Sequence, residues 1–356
     1  MGAGLTRERL APFLQQSKTP GLQYIVVNGA STLFEHAGGA ADLARARPMR
    51  AATTMMAYSM SKTITAAAVL QLVEAKAIGL DDPVARYADT PYGDAITIRQ
   101  LLSHTSGAPN PIPLRWVHPA AEHAAFDERA ALDAVLRGHP RLSSPPGTKY
   151  AYSNIGYWLL GRVVARAAAE PFTTYVERRV LRPLGITPDA MGYAIPAGAD
   201  HAAGYLEKYS ALNLLKPLLI DRALIGEYDG PWLHVRDHYP NGPAFGGLVG
   251  SARGFATFLQ DQLRDHSALF DDATRALFYE QQRTARGAIA MTLGWHIGTR
   301  EGRTFYFKEG GGGGFHSMMR LYPAGRFGSV VMANATSVDV ATILDVADAA
   351  IEAADF

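Results

Sequence analysis

Strand-like segments lie at the two ends of this 356-residue chain, with helix-like segments between them. That separation constrains the fold more than any other feature. Near the start, Leu22-Gln23-Tyr24-Ile25-Val26-Val27 is β-branched and aromatic, and Asn28-Gly29 follows it. Asn-Gly tolerates the positive φ angles of a tight hairpin turn, so a returning strand is expected over residues 31–36. Near the end, residues 292–299, 304–308, 315–322 and 327–334 have the pattern of four successive strands. Joining the two sets gives one antiparallel sheet built from both ends of the chain, an α/β fold of the α+β kind. The sheet is flanked by helices, and an amphipathic closing helix over 338–353 covers one face. Residues 1–80 and 246–356 are assigned to the sheet domain, and 81–245 to a mostly helical second domain.

Local signals place the helices. One begins at Ser59 and is expected to end near Gly79, where glycine would supply the cap. Others span 97–103, 127–137 with Asp127 as N-cap, 154–169 with Pro171 just beyond, 175–184 closed by Gly185, and 254–263. Residues 201–242 show no regular period. Their aromatic and apolar residues (Tyr205, Tyr209, Leu214, Leu215, Tyr228, Trp232) suggest a wall or lid over a cleft between the domains.

The charge balance narrows the function. Lys plus Arg number 34 and Asp plus Glu 33, a net charge of +1, which points to neither nucleic acid nor an anionic membrane. Cysteine is absent, which excludes disulfides, thiol catalysis and cysteine-ligated zinc. No stretch is long and apolar enough to span a bilayer, and residues 1–10 lack the apolar core of a signal peptide. A cytoplasmic location is expected, or a periplasmic or secreted one if a signal has been removed. A small-molecule substrate is expected, with no cofactor and no metal; the oligomeric state stays open.

Three segments carry chemistry. Ser59-Met60-Ser61-Lys62 puts a hydroxyl and an amine three residues apart, on one face of a helix start. Serine needs a base within hydrogen-bond reach, and a lysine depressed by burial or by another cation can supply one. Tyr150-Ala151-Tyr152-Ser153-Asn154 opens a helix after a Pro-Gly turn. Cations beside Tyr152 would lower its pKa and let it act as base and then acid. Lys308-Glu309 leads into five consecutive glycines, Gly310 to Gly314, where a substrate can lie against bare backbone. Other constellations are weaker. No serine has the Gly-x-Ser-x-Gly elbow. His234 and His238 have helical metal-ligand spacing, but Pro231 and Pro240 flank them, so a surface or pocket-wall pair is expected. Asp81 and Asp82 are expected to orient a loop.

At these residues the chain resembles the serine β-lactamase and penicillin-binding-protein superfamily. The similarity is strongest to the branch of class C β-lactamases, D-stereospecific peptidases and β-lactamase-like (family VIII) esterases. Leu101-Leu102-Ser103-His104-Thr105-Ser106-Gly107, Pro146-Gly147-Thr148, Leu160-Gly161 and Gly294-Trp295 extend the resemblance over roughly residues 20–336. It implies Ser59 as acylated nucleophile, Lys62 as its helper, Tyr152 as general base and Lys308 as the lysine holding the tyrosine. It also implies an oxyanion hole from the backbone N–H groups of Ser59 and Gly311. Asn154, Glu309, Gly310 and Gly312 would contact substrate, and His104 would be structural. One departure stands out: Glu309 occupies the position where the family usually has a carboxylate-binding hydroxyl. A glutamate repels anionic substrates, so a carboxylesterase on small neutral esters is expected, with possible acyl transfer to alcohols or amines. The alternatives are a D-amino-acid peptidase or amidase, a weak class C-like β-lactamase, and, further off, a sensor that stays acylated.

Overall fold

The computed structural model describes residues 2–14, 19–111, 116–196, 198, 200–210, 213 and 221–353. The strands used below are β1 (Gly21–Asn28), β2 (Thr32–Asp42), β3 (Arg47–Pro48), β4 (Val117–Pro119), β5 (Gly204–Glu207), β6 (Ile225–Asp229), β7 (Trp232–Val235), β8 (His238–Pro240), β9 (His296–Arg300), β10 (Arg303–Gly312), β11 (Phe315–Tyr322) and β12 (Phe327–Ala333). The helices are α1 (Gly2–Leu10), α2 (Ser61–Glu74), α3 (Ile98–Leu102), α4 (Glu128–Gly138), α5 (Asn154–Ala168), α6 (Ala252–Leu263) and α7 (Val340–Glu352).

The main sheet has the order β9-β10-β11-β12-β1-β2-β3. The two ends of the chain meet at an antiparallel ladder running from Leu22 opposite Ala333 to Asn28 opposite Phe327. The Asn28-Gly29 hairpin forms as its chemistry requires, with Asn28 Oδ1 accepting from the Ala30 and Ser31 N–H groups at 2.9 and 2.8 Å. β1 and β12 are central and apolar on both faces. Ile25, Val27, Val330 and Met332 face Phe255 and Leu259 of α6. Leu22, Tyr24, Val26 and Val331 face Leu10 of α1 and Ile343, Leu344 and Ala347 of α7. This period of two splits the core into two layers, each such side chain contributing roughly 1.5–3 kcal/mol by leaving water.

The larger core continues into the helices. α2 is apolar all round and therefore lies in the middle, against α5, with every residue from Ser61 to Leu70 buried. It ends at Glu74, short of Gly79. Ala77 N–H donates to the Leu72 carbonyl and Lys76 N–H to that of Val73, the paired bonds of a Schellman cap. Lys76 takes the left-handed position at φ +57°. The buried Ile78 anchors that turn, and Gly79 N–H donates to Asp82 Oδ2 at 2.8 Å. Thr97 caps α3 in a reciprocal pair with Gln100, and Asp127 caps α4.

Three further expectations are corrected. β9 begins only at His296, because Thr292–Trp295 closes a turn in which the Thr292 N–H donates to the Trp295 carbonyl at 2.8 Å and Gly294 takes φ +115°. β10 does not stop at Lys308; Gly310, Gly311 and Gly312 continue it, opposite Ser317, His316 and Phe315. The 201–242 segment is not irregular where it is described. β5, β7 and β6 form a three-stranded sheet, and β8 pairs with β4. Leu214 and Leu215 lie outside the described residues. Among the described residues no helix is long and apolar enough to cross a membrane.

One buried carboxylate ties α7 to the sheet. Asp348 accepts from the hydroxyls of Tyr24 at 2.7 Å, Tyr322 at 2.8 Å and Ser329 at 2.9 Å. Arg320, bonded to Asp345 at 2.6 Å, lies 4.0 Å from it. Asp348→Ala strands three buried hydroxyls, while Arg320 keeps Asp345, and should lower stability by about 3–5 kcal/mol in urea denaturation.

Candidate active site

Ser59 sits in a single 3₁₀ turn, Tyr58–Met60, that feeds directly into α2. Its Oγ lies 2.9 Å from Lys62 Nζ and 2.7 Å from the Tyr152 hydroxyl. Lys62 Nζ also donates to Asn154 Oδ1 at 2.8 Å and to the Phe245 carbonyl at 2.6 Å. Those two partners can only accept. Once the amine is neutral they take its two N–H groups, which leaves the lone pair facing Ser59, the one partner with a proton to give. Burial, reinforced by repulsion from Lys308, holds Lys62 well below the ordinary lysine value. The predicted serine–lysine pair is thus assembled, and its amine is poised to accept a proton.

Tyr152 is brought in by the start of α5. Ser153 caps that helix, accepting from Gly156 N–H at 3.0 Å and donating to the Pro109 carbonyl at 2.8 Å. His104 fixes the same corner from below. It adopts φ +56°, accepts from Ser153 N–H at 3.1 Å through Nδ1, and packs against Tyr152 with ring centroids 4.3 Å apart and the planes tilted by 34°. Its expected structural part is visible in those contacts.

The electrostatics of Tyr152 differ from the expectation. The cations do not lower it. Burial pushes it well above the usual phenol value, and Tyr150 and Glu309 add to the rise. Lys308 is not among the groups that shift it. That side chain is fully buried, 5.4 Å from the Tyr152 ring centroid, and its Nζ has no hydrogen-bond partner among the described residues. Burial brings it down to about 7 against the opposing pull of Glu309, so near neutrality its charge is half lost. Tyr152 therefore rests as a neutral phenol able to donate to Ser59.

The glycine run is a contact surface. A Cβ on Gly310 would lie 2.1 Å from the Ala57 carbonyl oxygen and 3.0 Å from the Ser59 nitrogen. Gly310 thus faces the Ser59 turn, while Gly311, Gly312 and Gly313 line the cavity beside Ser59. Glu309 points the other way from Lys308, as strand alternation dictates, and its Oε1 meets His316 Nε2 at 2.6 Å.

The cavity measures about 340 Å³. Its walls include Trp116, Val117, Leu224, Val235, Pro240 and Phe245, and Asn154 opens onto it. None of these apolar wall residues was singled out from the sequence. The described aromatics of the 201–242 segment do not line it. Tyr205 and Trp232 are packed into the core, Tyr209 is exposed, and Tyr228 is half-exposed. The segment contributes Leu224, Val235, His238 and Pro240 instead. The strand alternation of β7 and β8, hidden by the flanking prolines, was the available signal. His234 and His238 sit on strands, not on a helix, and His238 joins Tyr58 at 2.9 Å.

A serine held by a buried amine and a phenol, on this frame of sheet and helices, is the arrangement of the serine hydrolases related to β-lactamases and penicillin-binding proteins. The family model described as Beta-lactamase matches residues 6–352, and the chain belongs to that family of acyl-enzyme hydrolases. Protein flp of Staphylococcus aureus strain N315 is 23% identical over 346 residues, covering 93% of this chain. The chain spans only 63% of that relative's length. The D-alanyl-D-alanine-carboxypeptidase/endopeptidase AmpH of Escherichia coli K12 is 24% identical over 339 residues, covering 89% of this chain and 80% of AmpH. The structure of D-amino acid amidase from Ochrobactrum anthropi SV3 with D-phenylalanine aligns at a TM-score of 0.80 with 20% identity, covering 99% of this chain and 98% of that one. At that identity the likeness is one of fold.

Gly310→Ala should displace the Ser59 turn. A shift on the order of 1 Å predicts a loss in kcat of about 100-fold with secondary structure retained by circular dichroism.

Proposed function

We propose that the protein is a carboxylesterase that forms an acyl-enzyme on Ser59 and acts on small neutral esters. The cavity beside Ser59 carries this reading. Its lining residues include no Asp, Glu, Lys or Arg, and burial disfavours the charge on its one histidine, His238. A substrate carboxylate or ammonium would enter such a space without a counter-charge, which is costly. A neutral acyl group loses nothing there and gains apolar contact.

The mechanism follows from the resting protons. Ser59 gives its proton to neutral Lys62 as Oγ bonds to the ester carbon. The carbonyl oxygen becomes an oxyanion facing the Ser59 and Gly311 N–H groups. Collapse breaks the bond to the alcohol, and Tyr152 donates its proton to the leaving alkoxide. The acylated Ser59 oxygen has no proton to pass on, so the Lys62 ammonium, 5.0 Å from the Tyr152 ring centroid, returns its proton to the tyrosinate through the incoming water. Water then attacks the acyl-enzyme by the reverse relay and releases the acid. An acceptor alcohol held against the apolar wall would give transfer in place of hydrolysis. A D-amino-acid amidase or peptidase is the second reading, favoured by the names of AmpH and of the Ochrobactrum amidase. Glu309 is not among the residues lining the cavity; it pairs with His316, and its charge bears on the site by raising the pKa of Tyr152.

A panel of short-chain aryl esters, D-aminoacyl amides and a cephalosporin, with mass spectrometry of the acylated chain, separates these readings. Neutral esters should turn over fastest with the adduct on Ser59, and Ser59→Ala should remove at least about 1000-fold of the rate. Faster cleavage of the cephalosporin or the amides refutes the ester reading. The pH profile tests the base. Lys62 acts only when neutral, so kcat/KM on a neutral ester should rise with pH through its depressed pKa. Lys308→Met removes the repulsion that depresses Lys62, so the rising limb should move to higher pH. A limb that stays in place, or moves down, counts against Lys62.

A further inference from the structure

Tyr58 precedes Ser59 and takes a left-handed backbone conformation, φ +44°. Its ring lies across the glycine strand, where a Cβ on Gly312 would come within 2.4 Å of it. Its hydroxyl donates to the Gly313 carbonyl at 2.8 Å and meets His238 Nε2 at 2.9 Å. His238 Nδ1 in turn faces the Arg236 carbonyl at 2.9 Å. A four-member chain therefore runs from the Arg236 carbonyl through His238 and Tyr58 to the Gly313 carbonyl. It ties the residue next to Ser59 to a residue two beyond Gly311.

Counting protons shows what the chain requires. Both carbonyls only accept, so the three contacts need three protons: on Nδ1, between Nε2 and the phenol oxygen, and from the phenol to Gly313. Tyrosine supplies one and a neutral imidazole one. With neutral His238 the phenol proton must be shared between two acceptors, or one contact must set lone pair against lone pair. Only the imidazolium fills all three. The groups around His238 permit this without compelling it. Burial disfavours the charge, while the Arg236 carbonyl and Asp237 favour it. His201 and His118 are its other titratable neighbours, and burial holds both of them low. Pro119 of β4 lies opposite His238 and brings no charge.

We propose that Tyr58 and His238 are positioning residues: a clamp that holds the Ser59 turn in register with the oxyanion strand and is completed by a proton on His238. The clamp acts through the placement of the Ser59 and Gly311 N–H groups, and so it rests on the acyl-enzyme reading above. It predicts that losing the clamp slows acylation without weakening substrate binding.

The test uses Tyr58→Phe, His238→Gln and His238→Leu in the full chain, each checked for an unchanged melting midpoint. Two rates are read: turnover of a neutral aryl ester, and labelling by a neutral alkyl fluorophosphonate. In labelling, the Ser59 oxygen bonds to phosphorus, fluoride leaves and the serine proton passes to Lys62. Tyr58→Phe should lower kcat and the labelling rate together by about 10- to 100-fold, the size expected of a small misplacement, with KM within about twofold. His238→Gln keeps an uncharged N–H for Tyr58 and should retain several-fold more activity than His238→Leu. The ratio of wild-type to His238→Gln kcat should rise as pH falls below 6.5, since Lys62 protonation affects both enzymes alike and cancels. Labelling of Tyr58→Phe as fast as wild type, a loss confined to KM, or a pH-independent ratio overturns the clamp. Should Tyr58→Phe shift the melting midpoint, the two histidine variants decide. Failure of the wild type itself to label at Ser59 refutes the acyl-enzyme reading, and the clamp falls with it.

Discussion

Two lysine side chains are taken out of water within reach of the same tyrosine ring, and the rest of the site follows from the imbalance between them. Lys62 has three hydrogen-bond partners and Lys308 has none among the described residues. Burying an amine always favours its neutral form, and a second amine nearby strengthens that preference. Lys62 can become neutral without leaving any of its contacts unmade, because two acceptors and one hydroxyl match two N–H groups and one lone pair. Lys308 pays no hydrogen bond for losing its proton either. Burial thus disfavours the charge on both amines beside Ser59. That environment suits the neutral substrate proposed above.

The second dependence is geometric. A nucleophile on one segment and an oxyanion donor on another are useful only if the two backbones approach closely. Here that approach is made by glycines in an otherwise ordinary strand. Gly310 passes the Ala57 carbonyl with room for a hydrogen and no more, and Gly312 passes under the Tyr58 ring. The entropy such a run costs in folding is balanced by continuous pairing with β11, which holds the glycines as firmly as any other strand residues. The seven-stranded sheet to which they belong, locked to α7 through Asp348, supports that strand.

Much of this was legible in the chain. Hairpin chemistry at Asn28-Gly29, caps at Thr97 and Asp127, and the alternation of β1 and β12 are local effects, fixed by residues a few positions apart. The joining of the ends was legible because strand edges need partners. The end of α2 was misplaced because a Schellman turn anchored by Ile78 can set a lysine where glycine is usual. β10 was cut short because glycines signal a turn when nothing is known of the strand they pair with. The pairing of β5 with β7 escaped notice because its residues lie about 30 positions apart, across a segment broken by proline and glycine, whereas the β6–β7 hairpin is local and Asp229-Gly230 was its available signal.

The sequence by itself determined the sheet-and-helix frame and the identity of the side chains that meet at Ser59, since type, order and spacing suffice for those. Only the tertiary structure decided their burial, the composition of the cavity wall and the contact between His238 and Tyr58. Burial and contact are properties of a packed volume, and here that volume is filled by Phe245, Leu224, Val235 and the glycine strand, all remote in the chain from the serine they enclose.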